Sequence, residues 1–155
     1  MRRCQACWVG LIALATLTIV AHAQERKIQR SDLPPAVEQT VEAQSEGATV
    51  RAFSREMEKG QTFYEAELLV DGHSKDVLID RNGQIVEIEE QVRLSSLPPE
   101  VRDGLLAIAG KGTITKVESL TKHDKLVAYE AQVLNGAKKS EIQVGPHGKP
   151  LDHEE

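Results

Sequence analysis

Apolar and polar residues alternate with a period of two along most of this chain. From Gln61 to Val70, the residues Tyr64, Ala66, Leu68 and Val70 fall on one face, and Phe63, Glu65, Glu67 and Leu69 on the other. That is the pattern of a half-buried strand. Asp71-Gly72 supplies a hairpin turn. Residues 75–80 then place Val77 and Ile79 inward, with Asp76 and Leu78 outward. Arg81-Asn82-Gly83 turns the chain again, and residues 85–92 place Val86 and Ile88 inward, Glu87 and Glu89 outward. Residues 49–56 predict a strand ahead of this meander.

The period changes to that of a helix in two places. Leu33-Pro34-Pro35 opens the first, since proline suits an opening turn whose N–H groups are unbonded anyway. Val37 and Val41 then lie one turn apart, and Gly47 ends the run. Leu97-Pro98-Pro99 opens the second, 64 residues later, with Val101, Leu105 and Ile108 as its apolar stripe. Strands are expected at 113–120, 126–134 and 138–144, with a short one near Leu151. Tyr64-Glu65-Ala66 returns as Tyr129-Glu130-Ala131. The pattern predicts an α+β fold of two tandem helix-plus-antiparallel-meander repeats, residues 24–93 and 94–155. A unit of roughly 60 residues buries only about 60% of its unfolded surface. The two are therefore expected to pack together or to continue one sheet. Residues 24–31 are polar and expected to be loose at their start. Tyr129 and Ile142 are expected in the core beside Tyr64, Leu68, Val77, Ile79, Val133 and Val144.

Residues 1–23 read as a signal peptide. Arg2 and Arg3 precede the apolar run 8–20, and Ala21-His22-Ala23 gives the small-x-small pattern of a cleavage site. Cleavage after Ala23 predicts a periplasmic or secreted chain with no membrane span. Cys4 and Cys7 leave with the leader, which excludes disulfides, thiol nucleophiles and Cys metal sites from the mature protein. The mature chain keeps 17 basic and 24 acidic residues, net −7. Nucleic acid and anionic membrane are poor partners for that charge.

The run LPP, helix, strand, then Tyr64-Glu65-Ala66-Glu67-Leu68-Leu69-Val70 and Val77-x-Ile79-Asp80-x-x-Gly83, resembles PepSY-like domains. Tandem pairs of these are similar to the fold of the β-lactamase inhibitor protein. The resemblance covers residues 33–152 and implies an extracytoplasmic binding or inhibitory module. It brings no catalytic residues. The second half departs from it at Gly145-Pro146-His147-Gly148.

No phosphate-binding loop or nucleophile elbow is present, and no serine lies in a motif with a histidine base. The chain reads as no enzyme and as needing no cofactor. What stands out is the outward strand face: Glu65, Glu67, Asp76, Asp80, Glu87 and Glu89, with Phe63, Leu69 and Leu78 among them. A solvated face kept charged against aggregation is the plain explanation. The sharper one is a docking surface for a protein or peptide with a basic surface, with inhibition of that partner as the further step. Its residues are Phe63, Glu65, Glu67, Leu69, Asp76, Leu78, Glu87 and Glu89. The alternative is a periplasmic metal-binding or metal-sensing protein using the C-terminal cluster His147, Asp152 and His153.

Overall fold

The computed structural model describes residues 25–153 and Glu155. The leader and its cleavage site lie outside the described residues. The strands are β1 (Arg26–Ile28), β2 (Thr49–Glu58), β3 (Gln61–Val70), β4 (His73–Asp80), β5 (Ile85–Gln91), β6 (Thr113–Lys122), β7 (Lys125–Asn135) and β8 (Lys138–Val144). Helix α1 (Pro35–Gln44) lies between β1 and β2, and α2 (Pro99–Ala109) between β5 and β6. Each α-helix is preceded by a short 3-10 turn, at Arg30–Asp32 and Leu94–Ser96.

The expected α+β fold of two tandem helix-plus-meander repeats is corrected. Among the described residues the chain is mostly β, one antiparallel sheet of eight strands in the order β1 to β8, with two α-helices. The dominance of strand over helix overturns the expectation, while the junction takes one of the two expected forms, a continued sheet. β5 pairs with β6 from Glu87↔Lys122 to Gln91↔Glu118, and the Val92 N–H extends the ladder to the Val117 carbonyl at 2.9 Å. An unpaired β5 edge would expose a row of backbone donors and acceptors, and β6 satisfies them. The opposed charges of Glu87 and Lys122 favour this register.

Both helices cover the same face. Val37 and Val41 of α1 pack with Tyr64, Ala66, Leu68, Val77 and Ile79. Val101 and Leu105 of α2 pack with Val117, Ala131 and Val144. Each helix sits against a glycine turn. Thr40 Oγ1 donates to the Gly83 carbonyl at 2.6 Å, and a Cβ at Gly83 would come within 2.6 Å of the Ala36 carbonyl oxygen. A Cβ at Gly148 would come closer still to the Glu100 carbonyl oxygen on α2, and both glycines have positive φ (86° and 72°). Only glycine gives that backbone and that approach together.

Three further expectations change. The polar start is not wholly loose, because Arg26, Lys27 and Ile28 pair with Arg55, Ser54 and Phe53. Ile85, rather than Val86, packs on the first core cluster. The β4–β5 register slips after Leu78↔Glu87, so that Ile79 pairs with Ile85 and Val86 is bulged out. Tyr129 and Ile142 are half-buried on the flank of the second cluster, and the short strand expected near Leu151 is a single bridge, Val144↔Pro150.

Candidate functional site

The face opposite the helices carries the acids. Cross-strand pairing sets them in transverse rows. One row runs Ala52, Glu67, Asp76, Glu89, Leu120, Ala128, so three carboxylates stand directly opposite one another on β3, β4 and β5. A second runs Lys27, Ser54, Glu65, Leu78, Glu87, Lys122. A third runs Leu69, Ser74 and then, past Gln91 on β5, Glu118, Glu130, Gln143. Neighbouring strands are about 4.8 Å apart. Opposed like charges at that spacing destabilise one another.

All eight residues expected on the docking surface lie on this face and are half-buried. Phe63 opposes Asp80 at one end, and Leu69 opposes Ser74 at the other. Leu78 stands between Glu65 and Glu87. Glu25, Glu56, Glu65, Asp76, Leu78, Glu87 and Glu89 enclose a depression of about 240 Å³.

Six residues on this face escaped the sequence reading: Ser54, Lys116, Glu118, Leu120, Lys122 and Ala128. Ser54 is buried and donates to Glu65 Oε2 at 2.9 Å. Glu118 is only 4% exposed. It accepts the Lys116 ammonium at 2.5 Å and the Ser74 hydroxyl at 3.4 Å. Lys122 faces Glu87 at 3.6 Å and Glu155 at 4.0 Å, and the Glu155 N–H donates to Gln143 Oε1 at 2.9 Å. The described end of the chain therefore lies against the second half of this face. Leu120 and Ala128 are buried here too, although neither α1 nor α2 packs on them.

The carboxyls respond to this crowding. Burial, and then the charges of Glu130, Glu118, Glu87 and Asp76, pushes Glu89 up to about 8. Burial raises Glu130 to about 7, against a hydrogen bond from Gln143 and with help from Glu141. Burial likewise raises Glu65, where the Ser54 hydroxyl opposes it, and Asp76, where Lys116 opposes it. Glu56 is raised by burial and then by Glu58. Burial leads in every case, and neighbouring carboxylates add to it.

Asp76, Glu89 and Glu118 present carboxylate oxygens within 4.8 Å of one another. Hard cations favour such oxygen sets, but Lys116 already neutralises Glu118. The sequence-predicted metal ligands are placed differently. His147 meets Glu100 of α2, Nδ1 to Oε1, at 3.4 Å, while Asp152 and His153 are exposed in the tail. Among the described residues these three form no ligating group.

No protein-family model and no curated protein sequence matches this chain. Solved structures do match. A BLIP-like protein from Bacteroides fragilis is 21% identical with a TM-score of 0.58, covering 77% of this chain and 83% of its own. A protein described as periplasmic from Bacteroides eggerthii is 18% identical with a TM-score of 0.64, covering 77% and 86%. A DUF2874 family protein from Bacteroides ovatus is 21% identical with a TM-score of 0.61, covering 77% and 85%. The chain has a BLIP-like fold. No helix among the described residues is long and apolar enough to cross a membrane.

Proposed function

We propose that this chain is an exported, non-enzymatic, PepSY-like module that docks a protein or peptide with a basic surface on its helix-free sheet face. The observation that carries the reading is the directly opposed set Glu67, Asp76 and Glu89. Holding these carboxylates together, half-buried, costs stability that packing alone does not require. A Lys- or Arg-bearing segment laid on the face would relieve that cost. Leu78 and Leu69 supply apolar anchors among the charges, and the acids steer the approach. A partner whose own active site borders the docked segment would be inhibited by the contact. The periplasmic, BLIP-like neighbours support the reading at the level of fold.

A Lys-rich peptide tests the face. Its affinity is compared between wild type, Glu65→Lys with Glu67→Lys, and the charge-matched control Glu42→Lys with Glu46→Lys on and beyond α1. The face variant should bind at least about tenfold more weakly than the control, a difference of roughly 1.4 kcal/mol. Its affinity should also depend less steeply on salt. Equal losses in both variants would reduce the attraction to net charge and sink the docking face. A partner captured from envelope extract should then show faster dissociation from Leu78→Ala.

A further inference from the structure

We propose that the seam between β5 and β6 holds a second binding site, for an organic anion with an apolar body. The ladder between these strands stops at the Val92–Val117 hydrogen bond. From there the chain leaves the sheet through Leu94–Ser96 and α2, while β6 reaches back as far as Thr113. The divergence opens a cleft of about 600 Å³. Its walls are apolar: Val92, Leu94 and Ile114 pack on the flank of the second core cluster, and Val117 is buried within it.

The charges around this cleft are opposite in sign to the rest of the molecule. The guanidinium groups of Arg93 and Arg102 line it, and no carboxylate does, in a chain of net charge −5. Lys116 also borders it, but its ammonium is held by Glu118. Among the described residues Arg93 has no ion pair. Arg102 reaches only its exposed neighbour Asp103, at 3.7 Å. Such a contact contributes little. Two guanidinium groups beside an apolar wall suit a carboxylate carried on an alkyl or aryl body. The planar fork matches the carboxylate, and the wall takes the rest. A small inorganic anion would leave the wall unused, and a neutral apolar molecule would leave the guanidinium groups unused. An organic cation would be repelled here and drawn to the acidic face instead, so charge alone sorts ligands between the two sites.

The test uses octanoate, with acetate and octylammonium as controls, followed by amide chemical shifts of the intact chain. Octanoate should give saturable shifts at residues 92–95 and 114–117, and bind at least about tenfold more tightly than either control. Arg93→Gln with Arg102→Gln should weaken octanoate by a similar factor, with the melting temperature and the shifts of the opposite face unchanged. Absence of saturation, octylammonium binding as tightly as octanoate at the same residues, or unchanged octanoate binding in the folded double variant would each overturn the site.

Discussion

Glu89→Gln separates charge from shape at the centre of the acidic face. Glu89 opposes Asp76 on one side and Leu120 on the other. In the folded chain its carboxyl holds a proton up to about pH 8, against an ordinary value of 4.5. Between those limits the folded state binds more protons than the unfolded one. Stability therefore falls as pH rises through that window. The contribution is fully present below 4.5 and lost above about 8. Each pH unit of displacement corresponds to about 1.4 kcal/mol, so the full span sets a ceiling near 5 kcal/mol. Glu89 is only half-buried, and solvent screens part of that, leaving about 1–2 kcal/mol. Glutamine keeps the volume and never ionises. In urea denaturation near pH 4.5 the variant should match wild type within about 0.5 kcal/mol. Near pH 8.5 it should be more stable by about 1–2 kcal/mol. An equal difference at both pH values, or a variant less stable than wild type at the higher one, would refute the claim that this face stores electrostatic strain.

Three other outcomes follow from packing and processing. Leu68 is 1% exposed, so Leu68→Ala should cost about 2–5 kcal/mol in the same denaturation, with half-buried Ile142→Ala costing less. Gly148→Ala should cost more than about 1 kcal/mol and lower the melting temperature, because its Cβ would meet the Glu100 carbonyl and its φ is 72°. Mass spectrometry of the exported protein should find a chain that begins at Gln24.

The alternation was legible wherever a strand was long enough to repeat it. Gln61–Val70 and Lys138–Val144 begin and end where the pattern does. The same period put Phe63, Glu65, Glu67 and Leu69 on one side and their partners Asp76 and Leu78 beside them. What stayed hidden depends on pairing between distant segments. β1 has three residues, too few to show a period. The bulge at Val86 moves Ile85 to the core, and no local signal marks it. Lys116, Glu118 and Lys122 join the acidic face only because β6 lies beside β5, a register set by contacts about 30 residues apart in sequence. The α+β expectation failed on a different ground: it gave the two short helices equal weight with strands that make up most of the fold, while periodicity left open whether the halves pack together or share the β5–β6 ladder. The basic cleft forms where that ladder ends, so it too was invisible in the sequence.

That shared ladder also bears on what an occupant of the acidic face must supply. Eight hydrogen-bonded strands about 4.8 Å apart form a surface of the order of 35 Å across, with no hinge between its halves. The carboxylate rows are held at fixed spacing before anything binds. Recognition by such a preorganised surface leaves most of the ordering to the partner. It favours a rigid loop or strand whose cationic side chains already match the row spacing, and it discriminates against a flexible basic tail of the same charge.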